Sequence, residues 1–279
     1  MMFDTLREDG SPLIVGILNV TPDSFSDGGR FDTIEDACAH AVGMVAEGAD
    51  IIDVGGESTR PGSSGVGEDT EIERVIPVLG ALASRLPPHI PISIDTRNPR
   101  VAARAIEAGA RLINDPSAAG TPGMLEMAAE SGAGIVLMHM QGTPETMQFA
   151  PAYEDVVREV EAYLLARANL AVRAGVDPQR IAIDPGIGFG KTRRHNLKLL
   201  QRLDRLVATG FPVMLGTSRK RFVGAICGET EFSELLGATC ATTAMGVAAG
   251  VRLFRVHDVK QNRQAADVAW ACCQAADST

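Results

Sequence analysis

Short runs rich in valine and isoleucine alternate eight times with amphipathic stretches along this chain, and that alternation narrows the folds open to it. The runs are LIVGILNV (Leu13 to Val20), IIDVGGE (Ile51 to Glu57), PISIDT (Pro91 to Thr96) and RLIND (Arg111 to Asp115). They continue with GIVLMHM (Gly134 to Met140), IAIDPGI (Ile181 to Ile187), PVMLGTS (Pro212 to Ser218) and LFRVHDV (Leu253 to Val259). Their apolar centres are short and continuous, as expected of strands buried on both faces. Between them lie helical patterns such as NPRVAARAIEAGA and TPGMLEMAAESGA, each with proline near its first turn. Six of the eight helical patterns reach a glycine just before the next strand, which is helix-stop chemistry at regular spacing.

Eight β-then-α units in 279 residues predict a single (β/α)8 TIM barrel over the whole chain, with residues 1–12 as an N-terminal extension. A doubly wound sheet is the alternative, but it would carry a glycine-rich turn after its first strand, where this chain has ILNVTPDSFSDGG. The net charge of -9 argues against a nucleic-acid partner. No run of about 18 apolar residues appears and MMFDTLREDG lacks an apolar signal core, so the expectation is a soluble, cytoplasmic protein without a membrane partner. Cys38, Cys227, Cys240, Cys272 and Cys273 form no C-x-x-C pair and read as idle thiols in a reducing compartment.

In such a barrel chemistry belongs to the C-terminal strand ends. The polar residues there are Asn19, Asp53 with Glu57, Asp95, Asn114, His139, Asp184, Ser218 with Lys220, and Arg255 with His257. Any single member reads equally well as a helix cap; a full ring does not. DPGIGFGKT (Asp184 to Thr192) looks at first like a phosphate loop, but counting back five residues from Gly190 reaches Pro185, and Gly186, Gly188 and Gly190 merely alternate. Asp184 is its informative residue. The five histidines, His40, His89, His139, His195 and His257, show no H-x-H and no H-E-x-x-H, so a histidine-held catalytic metal is not indicated. Lys220 fits either a Schiff-base lysine, as in a lyase, or a hydrogen-bond donor beside a buried carboxylate.

NVTPDSFSDGG (Asn19 to Gly29), GGESTRPG (Gly55 to Gly62), DPGIGFGK (Asp184 to Lys191) and SRK with RVHDV (Ser218 to Lys220, Arg255 to Val259) occur in this order at strand ends. Together they make the chain resemble the dihydropteroate synthases, a pterin-binding TIM-barrel family, over nearly its whole length. The resemblance implies a transferase of folate biosynthesis and a sulfonamide target. Such an enzyme joins p-aminobenzoate to 6-hydroxymethyl-7,8-dihydropterin diphosphate and releases pyrophosphate. It further implies that Asp184, Asn114 and Asp95 read the pterin edge, with Lys220 donating to the ring and Met138 and Phe189 walling it. Arg255 would lie over the ring or meet the diphosphate. His257 and Asn19 would hold the diphosphate, with Asn19 also a Mg2+ ligand and Thr59 nearby. The resemblance implies that Lys220, Arg255 and His257 form the catalytic set. Phe25, Thr59, Arg60 and Pro61 would line the p-aminobenzoate pocket, its carboxylate meeting Ser218 and Arg221. Homodimers are the family's usual state. A pterin-dependent methyltransferase barrel is the nearest alternative, and a Schiff-base lyase using Lys220 the more distant one.

Overall fold

The computed structural model describes residues 3, 6–20, 34–57 and 65–276, and within them eight parallel strands curl into an almost closed barrel. The strands are β1 (Leu13–Asn19), β2 (Ile51–Gly55), β3 (Ile92–Asp95), β4 (Leu112–Asp115), β5 (Gly134–Met138), β6 (Ile181–Asp184), β7 (Met214–Leu215) and β8 (Leu253–Val256). β1 through β6 pair in sequence order, β8 returns to β1, and β7 pairs with β8. Between β6 and β7 one bridge, Ile183 with Val213, completes the circuit, and Ile183 N–H donates to the Pro212 carbonyl at 2.9 Å. This is the α/β barrel that the alternation predicts.

Ten helices are described: α1 (Ile34–Ala46), α2 (Glu68–Arg85), α3 (Pro99–Glu107), α4 (Met124–Ser131), α5 (Val156–Arg173), α6 (Arg193–Gln201), α7 (Leu203–Val207), α8 (Arg221–Cys227), α9 (Leu236–Ala248) and α10 (Val259–Ala276). The six glycines expected to stop helices, Gly48, Gly109, Gly132, Gly175, Gly210 and Gly250, all adopt positive φ. Three local expectations need correction. HNLKLLQRLDRLVATG is two helices, broken at Arg202, whose φ of -124° and ψ of 34° leave the helical region. Pro122 stands outside α4, whose first cap is the left-handed Gly123. Every strand except β4 also ends short of its apolar run, because the chain leaves the ladder to form a loop.

Strand periodicity sorts the residues. Ile14, Leu18, Ile52, Val54, Ile94, Ile113, Ile135, Ile183 and Phe254 belong to the large core beneath the helices. The opposite parity, Leu13, Val15, Ile51, Leu112, Val136, Ala182, Met214 and Leu253, forms a separate apolar cluster in the lower barrel. Phe3 belongs to that cluster and is fully buried. Arg252 fastens the N-terminal segment by donating to the carbonyls of Phe3 at 3.0 Å and Arg7 at 3.1 Å. Residues 1–12 therefore include a plug for the barrel floor as well as an extension. Among the described residues no helix is long and apolar enough to cross a membrane.

Candidate active site

One step further along the inward parity the side chains turn polar. Register places Asp53 beside Ser93, Asp95 beside Asn114, and Met138 beside Asp184. Asn19, Asp95 and Asp184 are each the last residue of a strand, so their side chains reach the upper mouth while their backbones stay in the ladder. The Arg255 guanidinium crosses the barrel between two carboxylates, donating to Asp53 Oδ2 at 2.7 Å and Asp95 Oδ2 at 2.7 Å. Asn114 Nδ2 donates to the same Asp53 oxygen at 3.0 Å. Burial raises the Asp95 carboxyl, and the repulsion of Asp53, Glu71 and Asp115 adds to it against the pull of Arg255. Burial works against the Arg255 charge, yet Asp53 and Asp95 outweigh it and its pKa rises.

On the far wall Asp184 faces Lys220. Around the point a Cβ on Gly216 would occupy, Arg255 Cβ lies at 3.8 Å, Lys220 Nζ at 3.9 Å and Asp184 Oδ2 at 4.0 Å. Glycine there keeps open the space on which these groups converge. Asp184 Oδ1 is already taken by Gly186 N–H at 2.7 Å, so Oδ2 is the oxygen that faces this space. Burial raises the Asp184 carboxyl, with Lys220 opposing most strongly. Burial also lowers Lys220 to about 8, against the pull of Asp184. The Lys220 ammonium sits 4.5 Å from the centroid of the Phe189 ring and donates to the Ile187 carbonyl. Met138 is buried at the end of β5, on the same inward parity.

Beyond β7 and β8, Ser218 Oγ lies 3.0 Å from His257 Nδ1 and accepts from His257 N–H at 3.2 Å. The neighbouring residues brace this pair: Arg219, at a φ of 56°, grips Asp258 through two hydrogen bonds of 2.7 and 3.2 Å. That fork offsets the roughly 1 kcal/mol a non-glycine residue loses in the left-handed region. Arg221 is exposed at the first position of α8. Phe25, Thr59, Arg60 and Pro61 lie outside the described residues.

The ring expected at the rim is not uniform. His139 follows Met138 and so points away from the barrel interior, packing edge-on against Tyr163 at 4.9 Å between ring centroids. Burial, then the Lys191 charge, drops its pKa to about 3. Glu57 pairs with Arg97 at 3.0 Å and links the second and third loops. Sequence reasoning named Asp53 at its strand end but gave it no role, and it missed Gly216 and Lys191. Only the inward parity of Asp53, readable two residues along from Ile51, signalled the first of these.

DPGIGFGKT has its physical account here. Gly186 and Gly190 both have φ of 62°, and a Cβ would lie 1.8 Å from the His139 carbonyl oxygen at one and 2.4 Å from the Gln141 carbonyl oxygen at the other. The glycines let the sixth loop lie against the fifth.

Asn19 Oδ1 lies 3.5 Å, and Asp95 Oδ2 3.8 Å, from the position of a Cβ on Gly55, which puts a neutral oxygen donor beside a carboxylate at the mouth. No group of three or more His, Cys, Asp or Glu suited to a metal exists among the described residues. An amide oxygen beside a carboxylate suits a hard ion that keeps most of its shell as water and substrate oxygens.

Residues 15–257 match the family model described as pterin binding enzyme. The chain is 44% identical over 267 residues to the dihydropteroate synthase of Escherichia coli K12, covering 96% of this chain and 94% of that one. Among solved structures, the Yersinia pestis dihydropteroate synthase in a sulfonamide drug complex superposes with a TM-score of 0.90 at 40% identity, covering 95% of both chains. The Xanthomonas albilineans dihydropteroate synthase with 4-aminobenzoic acid gives a TM-score of 0.88 at 44% identity, covering 95% of this chain and 94% of that one.

Proposed function

Because the chain belongs to the pterin-binding enzymes and, within them, to the dihydropteroate synthases, we propose a residue-by-residue account of how it makes 7,8-dihydropteroate. It is a transferase that joins p-aminobenzoate to 6-hydroxymethyl-7,8-dihydropterin diphosphate with release of pyrophosphate. The convergence of Asp184 Oδ2 and Lys220 Nζ on the space left by Gly216 carries the account. A pterin offers a donor edge, N3–H with the 2-amino group, and acceptors on the opposite side of the ring. Asp184 accepts from the first, and Lys220 donates to the second. Asn114 and Asp95 complete the edge, and Arg255, held between Asp53 and Asp95, presents its guanidinium beside the ring. Met138 and Phe189 wall the heterocycle.

The reaction is a substitution at the pterin methylene carbon. The C–O bond to the diphosphate breaks, and the dihydropterin ring stabilises the positive charge that develops at that carbon. The aryl amine then forms the new C–N bond and loses a proton. Asn19 and His257, with Arg255, hold the departing diphosphate, so positioning and charge stabilisation suffice without a protein nucleophile. Mg2+ held by Asn19 would neutralise charge on the diphosphate. Thr59, near the diphosphate, joins Phe25, Arg60 and Pro61 around p-aminobenzoate, and Ser218 and Arg221 meet its carboxylate. Ser218, bonded to His257, couples the two substrate regions.

The chain acts as one domain, as a homodimer, in the cytoplasm; light scattering at micromolar concentration tests the dimer. Incubation with both substrates and Mg2+, assaying dihydropteroate and pyrophosphate together, tests the function. Pterin binding without pyrophosphate release would make the chain a non-catalytic binder.

A further inference from the structure

Lys191 is the least expected charged residue in the molecule, with only 3% of its surface exposed. Among the described residues it forms no ion pair, and burial lowers its pKa well below the usual lysine value. An isolated buried amine is costly unless every polar hydrogen is used. Lys191 Nζ donates to the carbonyls of Phe189 at 2.9 Å and Gly186 at 3.0 Å, and shares a hydrogen bond of 2.9 Å with His139 Nδ1. The His139 carbonyl stands further off, at 3.3 Å.

Those bonds belong to a wider pattern. Past β6 the chain has no neighbouring strand, so the backbone of the sixth loop must find other partners. Each of its five carbonyls from 186 to 190 is met by a side chain. Lys191 takes those of Gly186 and Phe189, and Lys220 takes that of Ile187. Gln148 Nε2 donates to Gly188 at 3.0 Å, and the Tyr153 hydroxyl to Gly190 at 2.8 Å. Lys191 alone holds two points, on either side of the peptide that Lys220 meets from within the site. Gly186, one of those points, also supplies the N–H that fixes Asp184 Oδ1. Phe189, the other, carries the ring beneath Lys220.

We infer that Lys191 is a positioning residue for the pterin edge: it never touches substrate, but clamps the sixth loop so that Asp184, Lys220 and Phe189 stand ready before substrate arrives. The inference rests on the proposed role of Asp184 and adds a cause for its orientation. It also places a specific limit on the effect. The groups proposed for p-aminobenzoate lie on other loops, so the clamp acts on one substrate and not the other.

The test compares Lys191→Met, which removes all donors, with Lys191→Gln, whose amide retains two, in the full-length enzyme. In folded Lys191→Met the KM for the pterin diphosphate should rise at least about tenfold while that for p-aminobenzoate stays within about twofold. Lys191→Gln should recover part of the loss. A folded Lys191→Met with unchanged pterin KM, or with both KM values raised equally, overturns the inference. Should neither variant fold, nitrogen-15 NMR on the wild-type enzyme decides. A protected Lys191 Nζ signal, present without ligand and unmoved when a pterin is added, supports a preset clamp; a signal that appears or shifts only on binding overturns it. Asp184→Asn, run alongside, separates the two levels. If it keeps wild-type pterin affinity, the site assignment fails; if it loses affinity while Lys191→Met does not, only the clamp fails.

Discussion

Replacing Asp184 by asparagine should weaken pterin binding severely while leaving the barrel folded, and the structure dictates why. Gly186 N–H donates to Asp184 Oδ1 at 2.7 Å, so an asparagine must place its carbonyl oxygen there. Its amide NH2 then takes the position of Oδ2, facing Lys220 and the donor edge of the pterin. An acceptor becomes a donor among donors, and rotating the amide only moves the conflict to Gly186. Losing a charge-assisted bond and leaving a buried donor unpaired should cost roughly 2–4 kcal/mol. That is roughly a thirty- to seven-hundred-fold rise in Kd. Folding should suffer little, because burial already raises the Asp184 carboxyl and the neutral amide escapes that penalty. The thermal midpoint should move by no more than about 2 °C, equivalent to ~1 kcal/mol in a domain of this size. Calorimetric titration of the folded variant with a pterin is the assay. An affinity near that of the wild type would remove Asp184 from the pterin edge.

Burial lowers Lys220 to about 8, so kcat/KM for the pterin diphosphate should fall as pH rises through that value and the donor ammonium is lost; a profile flat to about pH 10 would refute this. The same depression makes the unfolded chain bind more protons between about 8 and 10.5, so Lys220 costs stability below that window and the cost fades as pH rises through it. Gly186→Ala puts a Cβ 1.8 Å from the His139 carbonyl oxygen at a φ of 62°, and should lower stability by more than about 3 kcal/mol in urea, an unshifted midpoint being the contrary result. Phe3→Ala empties the barrel floor and should cost about 3–5 kcal/mol in the same assay; a loss under about 1 kcal/mol would mean the floor closes without it.

The barrel was legible because its signal is repeated: each β-α unit restates the same pattern, and helix-stopping glycines mark the returns. Asp184, Asp95 and Asn19 were legible because they end strands, where side chains reach the mouth but the backbone stays rigid. Asp53 was half-legible, visible as polar but not as the partner that anchors Arg255 from two strands away. Lys191 was not legible at all. Its partners are carbonyls, which every residue carries, so no spacing of residue types announces them. The break at Arg202 was equally hidden, since LKLLQRLDRL keeps its helical periodicity straight through it. Gly216 is informative only through what surrounds it in space.

The single bridge between β6 and β7 has a consequence for how the molecule carries its substrate. Asp184 ends one of these strands and Lys220 follows the other, so the two groups proposed to grip the pterin stand on opposite banks of the barrel's least-stitched gap. A flat heterocycle held from both banks becomes a rung in a ladder that the backbone leaves almost without rungs. With so few hydrogen bonds across it, the width of that gap would be set in part by the bound ring. A ring of the wrong breadth is then rejected twice, by contacts it fails to make and by a wall it cannot hold closed.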